Sequence, residues 1–561
     1  MSVKRITNQL NKLPGTIKCP FVYVRFLHIK NTFYHSQERP PASKTYSIST
    51  PIYYVNAAPH IGHLYSCLLA DASARWNKLK GSNTFFTTGT DEHGLKIQQA
   101  ATANKLDPQT FCDQVSHKFK SLFDAADISY TRFIRTTEAD HHEAVVAFWN
   151  RLKERGHIYK GSYSGWYSVS DEAFLSESDV EDKCLPDGST VKVSKASGHV
   201  VTWSEENNYL FKLSDLQQHL THWLNSKPIF PPQFETAVRH MVQNLPDLSL
   251  TRDRVRLPWG IPVPGDESQT IYVWLDALVN YLTVTGYPKA GWFPWPPDCQ
   301  VIGKDILKFH AIYWPAFLIA AGFDPPKKLV VHSHWLVDNV KMSKSLGNVI
   351  DPMCKMEALG VDGVRYFLLK EGSLDSDCSY SDKKLTERIN SDLANTMGNL
   401  LGRLTAQSVN KRQEFPALNE DDLFEFCSAE ERDMHKALYQ LPGKADQLYT
   451  EFHFSRALDE IMGHLHWANG LVQSHSPWQL CKSDKPQDNA HLLLTLHMGM
   501  ETLRVCGILL QPVIPNLSDK LLTSLGVPST ERNFEHALIA AINGFQSLGQ
   551  KIILQKKVDM S

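Results

Sequence analysis

Little in this chain announces itself through composition. Its ten cysteines are scattered over 561 residues with no Cys-x-x-Cys among them, so it offers neither a zinc knuckle nor a dithiol redox pair. Such spacing fits unpaired thiols in a reducing compartment. The longest apolar run, near 311–323, is too short for a bilayer and is flanked by Lys308, His310 and Asp324. No membrane-spanning helix and no membrane partner are expected. No internal repeat stands out. Strong net charge is also missing, the formal value being −2. A nucleic-acid partner would therefore have to be met by local patches.

The near-neutral total hides an asymmetry. Residues 1–44 hold eight Lys/Arg and one acid, Glu38, which leaves 50 basic and 59 acidic residues in the remainder. This basic, hydroxyl-containing segment has no secretory apolar core and reads as a mitochondrial transit peptide, with a plain basic tail as the alternative. Beyond it the length allows two to four domains.

What the chain does have begins at Pro59-His60-Ile61-Gly62-His63. A β-rich run, Tyr46 to Val55, precedes it, and a helix-like run through Leu79 follows. The first strand-to-helix turn of an open α/β sheet is where a nucleotide sits. Two imidazoles three apart at a helix N-terminus suit a phosphate clamp, and Gly62 lets a ligand approach the backbone. Some 280 residues later comes Lys341-Met342-Ser343-Lys344-Ser345, followed by Leu346-Gly347-Asn348. Two lysines on a flexible loop suit a mobile clamp on a polyphosphate.

Other stretches fit the same sheet. Thr84 to Thr88 is a β-branched and aromatic strand that ends in Gly89-Thr90-Asp91-Glu92-His93-Gly94. Asp91, at the carboxyl end, can hold an ammonium group; a helix cap is the plainer reading. Gly303 and Asp305, after the apolar Val301-Ile302, fit a nucleoside site, with Asp305 accepting from a ribose hydroxyl. Between 156 and 255, glycines punctuate short aromatic runs, which reads as a mainly β insertion. From about 351 the period becomes helical, with turns at Asp351-Pro352 and Gly360-Val361-Asp362-Gly363 and amphipathic runs at 383–410, 429–440, 443–470 and 488–512. A helical bundle follows.

The His60–His63 and 341–345 stretches, in this order, resemble the paired signatures of class I aminoacyl-tRNA synthetases. With Tyr53-Tyr54-Val55-Asn56, Asp91-Glu92-His93-Gly94, Tyr272-Val273-Trp274-Leu275-Asp276-Ala277, Gly303-Lys304-Asp305-Ile306 and Phe309-His310, the chain resembles methionyl-tRNA synthetases of the zinc-free mitochondrial or bacterial kind over about 45–540.

The resemblance implies a Rossmann-type parallel sheet split by a β-rich insertion and followed by an α-helical bundle. The divisions are 1–44 transit peptide, 45–155 and 256–350 the two catalytic halves, 156–255 the connective insertion, 351–392 a linking region and 393–561 an anticodon-binding domain. It implies a methionine pocket at Ile52, Tyr54, Asp91, Trp274, Ala277, Leu278, Tyr281, Ile306, His310 and Trp314. Leu278 stands where relatives often carry Pro. A thioether favours aromatic walls, with Tyr54 and His310 touching the sulfur. ATP with Mg2+ would lie on His60, His63, Gly303, Asp305 and His332, with Lys341 and Lys344 closing over the phosphates. His60, His63, Lys341 and Lys344 would stabilise the transition state. Asn399, Arg403, Pro477 and Trp478 match the residues that read the anticodon of tRNA(Met).

The expected partners are thus L-methionine, ATP and tRNA(Met), in the mitochondrial matrix. A monomer is expected, because the C-terminal appendix common to the family's dimers is missing. No zinc is expected in the insertion: Ser168 and Asp171 replace knuckle cysteines and Cys184 is alone. The insertion is also too short for the editing domain of the isoleucyl, valyl and leucyl enzymes. Three rivals remain: a non-catalytic tRNA-binding protein that kept the fold, another class I synthetase such as cysteinyl, and a nucleotidylyltransferase, which is small and has no bundle.

Overall fold

The computed structural model describes residues 44–168, 173–175, 177–185, 189–195, 198–289, 295–342, 347–545, 547–550 and 552–558. Residues 1–43, Asp171 and Lys344 thus lie outside the described residues, as does the side chain of Lys341.

Six parallel strands form the central sheet. They are β1 (Thr45–Tyr54), β2 (Asn83–Asp91), β3 (Arg132–Arg135), β6 (Ile229–Phe230), β7 (Cys299–Gly303) and β8 (Leu329–His332), in the order β3-β2-β1-β7-β8-β6. The chain leaves β1 through helix α1 (Ile61–Leu79) to β2 on one side. β7 lies on the other. The order therefore reverses between β1 and β7, which opens a crevice at their carboxyl ends. Ile48, Val301, Val330 and Val331 are buried along these strands, as sheets covered by helices on both faces require.

Between the two halves lies an antiparallel sheet built on the long pair β4 (Ile158–Ser168) and β5 (Thr202–Phe211). A hairpin, Val180–Cys184 with Thr190–Ser194, stands beyond it. The span 156–255 is not β throughout. It contains helices Gln217–Leu224 and Pro232–Met241, and β6, which joins the edge of the parallel sheet.

The rest is helical, with two departures from the sequence pattern. Gly360 is a helix boundary, but Val361, Asp362 and Gly363 already belong to α5 (Val361–Glu371). The run at 443–470 is two helices. Leu441–Thr450 ends where Phe452 adopts φ +62°, and α8 (Phe454–His475) starts afresh. α9 (Pro486–Leu510), read from the sequence as an amphipathic run at 488–512, is long and apolar enough to cross a membrane and is almost wholly buried in the bundle.

One buried arginine welds bundle to sheet. Arg365 of α5 donates to Asp71 of α1 at 2.6 Å and to the carbonyls of Pro512, Val513 and Ala126 at 2.9–3.0 Å. Every strong donor direction is used, which is what makes burial of the charge tolerable. The far end of α1 also meets the bundle, through Trp76 Nε1 to Asp446 at 3.0 Å. A single helix thus runs from the crevice to the helical half.

Candidate functional site

The N-terminus of α1 opens on the crevice. His60 is its N-cap, in extended backbone, and its Nδ1 accepts the Gly62 N–H at 3.0 Å. Nδ1 of His63 accepts the His60 N–H at 3.1 Å. A backbone N–H can only donate, so both Nδ1 atoms are acceptors and each neutral ring carries its proton on Nε2. The rings stack, centroids 3.8 Å apart. Gly62 is needed for this: a Cβ there would lie 2.9 Å from His60 Cε1. The helix end therefore presents two oriented imidazole donors at the positive end of a dipole.

One residue of the 341–345 stretch, Met342, and one just beyond it, Ile350, approach this helix end. The Ile61 N–H donates to Ile350 O at 3.3 Å. Met342 Cε lies 3.9 Å from where a Gly62 Cβ would stand. Stretches 280 residues apart in sequence thus meet at one turn.

Across the crevice, Gly303 ends β7 and pairs in register with His332 at the end of β8. A Cβ on Gly303 would stand 2.8 Å from Asp305 Oδ1 and 3.7 Å from His332 Cε1. His332 donates from Nδ1 to Ser333 O at 2.8 Å and accepts the Ser66 hydroxyl on Nε2 at 2.7 Å. Burial pushes it down to about 4, so it is a neutral strut between β8 and α1. Gly303, Asp305 and His332, named together from the sequence, lie side by side here, and His332 faces Ser66 with its acceptor side.

Tyr54 and Asp91 end adjacent strands in register. Beside them, α3 (Val273–Thr283) carries Trp274, Ala277, Leu278 and Tyr281. Ile306 and His310 come from the turns after β7, His310 on a wide π turn, Phe309–Tyr313, that runs into α4 (Trp314–Ala321). Trp274 stacks on Phe309 at 3.6 Å, and His310 meets Trp274 edge-on. Tyr281 packs against Trp314 at 5.9 Å. His310 Nδ1 donates to Ile306 O at 3.0 Å, and its Nε2 accepts the Tyr281 hydroxyl at 2.8 Å. Burial pushes His310 down to about 4. Both ring nitrogens are thus engaged, and among these aromatic side chains His310 is tied to the Tyr281 hydroxyl.

Two supporting networks escaped the sequence reading. Asp276 bonds His93 Nδ1 at 2.6 Å and His141 Nε2 at 2.8 Å. Burial raises its carboxyl, but the two imidazoles outweigh that and hold it at about 2. Glu92 is fully buried in a fork from Arg135, 2.7 and 2.9 Å, with Thr90 and Thr137 completing its bonds. Together they fix both residues after Asp91. Asp276 was visible only as part of a motif, and nothing in the sequence tied His141 to it.

In the bundle, Asn399 and Arg403 are exposed one turn apart on α6 (Asn399–Leu404). Trp478 is half-buried and Pro477 buried, in a short helix that leaves α8 through Ser476 at φ +48°. Lys411, beyond α6, donates to Cys481 O at 2.8 Å and links the two.

Known proteins match this architecture. A family model described as class I tRNA synthetases (M) matches residues 46–405, and one described as the anticodon binding domain of methionyl tRNA ligase matches 426–555. The mitochondrial methionine–tRNA ligase of Homo sapiens is 51% identical over 511 residues, 86% of this chain and 84% of that protein. The probable mitochondrial enzyme of Dictyostelium discoideum is 43% identical, covering 94% of this chain and 93% of that protein. The Mycobacterium tuberculosis methionyl-tRNA synthetase bound by methionyl-adenylate superposes with a TM-score of 0.86 at 38% identity, over 91% of this chain and all of that one.

Proposed function

The chain belongs to the class I methionyl-tRNA synthetases, and from that premise we propose how its own residues carry the reaction. It is a methionine–tRNA ligase that uses ATP to activate methionine as the adenylate and passes the methionyl group to the 3′ end of tRNA(Met), in the mitochondrion.

In the first step a methionine carboxylate oxygen attacks the α-phosphorus of ATP and pyrophosphate leaves. Negative charge spreads over the phosphoryl oxygens. The Nε2 protons of His60 and His63 are set to meet that charge, and their own backbone bonds pre-organise them. Lys341 and Lys344 close over the leaving phosphates. Gly303 and Asp305 take the adenosine, and His332 braces the helix. Asp91 holds the methionine ammonium, while Ile52, Tyr54, Trp274, Ala277, Leu278, Tyr281, Ile306, His310 and Trp314 enclose the thioether side chain. Asn399, Arg403, Pro477 and Trp478 read the anticodon by edge contacts and stacking.

Magnesium would supply charge neutralisation on the phosphates. A hard ion of this kind prefers phosphate oxygens to the imidazoles at the end of α1. The insertion takes no zinc, since Cys184 is its single cysteine. We further infer that residues 1–44 direct the chain to the matrix and that it acts as a monomer.

The observation that carries this reading is the meeting of the two motif stretches at Gly62 and Ile61. Pre-steady-state adenylate formation tests it. Lys344→Ala slows that step far more than it weakens methionine binding; equal losses in both overturn the assigned role.

A further inference from the structure

Cys427, Glu431 and His475 bring a sulfur, a carboxylate oxygen and an imidazole nitrogen within 4.8 Å of one another, far from the crevice and unused by the reaction above. They come from separate places. Cys427 follows helix Glu420–Phe426, Glu431 lies in the first turn of α7 (Ala429–Leu438), and His475 is the last residue of α8.

His475 Nδ1 has two neighbours at 3.0 Å, the Thr495 hydroxyl and Nε2 of His491. An N–H from His491 Nε2 can be donated to it, which leaves the ring proton on Nε2, facing Glu431 Oε1 at 3.2 Å. An ion between imidazole and carboxylate would take that proton's place. The other Glu431 oxygen accepts the Ser428 N–H at 2.7 Å, which fixes the carboxylate. On the same side lies the buried Cys427 thiol, its sulfur 3.5 Å from the Met498 thioether.

We propose that Cys427, Glu431 and His475 bind one zinc-class divalent ion, with water in the fourth position. One thiolate, one imidazole and one carboxylate are a donor set such an ion accepts, and three protein ligands leave a place open. A ligating histidine usually donates its other ring N–H to a fixed acceptor, and with an ion on Nε2 the Nδ1 proton of His475 would have the Thr495 oxygen and His491 Nε2 within 3.0 Å. Burial, helped by the Glu431 charge, pushes the Cys427 thiol up to about 11, so the ion displaces the thiol proton on binding. The site would tie three helix ends together directly before Ser476 and Trp478. It lies outside the insertion, and its existence does not rest on the anticodon reading.

The test is a Co2+ titration of the full chain, stripped of metal with a chelator, followed by thiolate-to-cobalt charge transfer. One equivalent produces the band, Zn2+ displaces it, and Cys427→Ser and His475→Ala abolish it. Cys184→Ser keeps it. Glu431→Gln, which retains the capping oxygen, weakens Co2+ binding by about tenfold or more. No stoichiometric band in the folded wild-type chain overturns the proposal and leaves His475 as a hydrogen-bond partner of Glu431 alone. A band that survives both Cys427→Ser and His475→Ala overturns it as well.

Discussion

The His60 backbone N–H donates to Nδ1 of His63 at 3.1 Å, and the two rings stack 3.8 Å apart. This one bond fixes the tautomer of His63 and closes the cap of α1. The clamp is thus made of neutral, pre-oriented donors, which need no reorganisation when charge develops.

Gly62→Ala tests that geometry. The added Cβ stands 2.9 Å from His60 Cε1 and 3.0 Å from Nδ1, so the ring must swing away. A displacement of that size is expected to lower the rate of adenylate formation about 10²-fold, with methionine affinity nearly unchanged. Single-turnover kinetics with and without saturating ATP check it; an unaltered rate contradicts the oriented-imidazole account.

Tyr281→Phe removes the donor to His310 Nε2 and leaves a buried acceptor unpaired, a cost of about 1–3 kcal/mol. Methionine KM is expected to rise by about tenfold or more, and preference over the all-carbon analogue of methionine to shrink. Pyrophosphate exchange with both amino acids reads this. Unchanged discrimination would mean that the Tyr281–His310 pair does not face the thioether.

Trp478→Ala is expected to lower aminoacylation of tRNA(Met) by about 10–100-fold, the loss of one stacked base at about 1–3 kcal/mol. Adenylate formation without tRNA stays intact, because Trp478 lies in the bundle. Normal charging by this variant would contradict the assignment.

Stability should depend on pH through buried neutral histidines. His310, His332 and His435 are each pushed down to about 4 by burial, against about 6.5 in the unfolded chain. Between those values the unfolded chain binds more protons, so stability falls as pH drops from about 6.5 towards 4, by up to about 1.4 kcal/mol per pH unit for each group. Denaturant unfolding at pH 7 and pH 5 measures this; equal stability contradicts it.

The sequence made the sheet, the turn at His60 and the helical half legible because each is a local pattern: a β-branched run, a cap, a helical period. It also placed Gly303, Asp305 and His332 in one region, because parallel strands deliver their carboxyl ends to one edge. Partnerships across the fold stayed hidden. His141 and Asp276 are 135 residues apart, and no local spacing encodes their bond. The same holds for Arg365, which reads as an ordinary helix arginine until its carbonyl partners come from two other segments. The break at Phe452 was missed because an apolar period continues across it on both sides. Residue types pointed to Tyr54 and His310 as the polar contacts of the thioether; that the Tyr281 hydroxyl bonds His310 Nε2 appears only in the geometry.

The most direct measurement is ATP–pyrophosphate exchange by the purified chain across the amino acids, without added zinc. Exchange with methionine alone is the predicted result, and it fixes substrate, reaction and zinc-independence of the adenylate step together. Exchange with another amino acid, or none from a folded chain that still binds tRNA, would contradict the account.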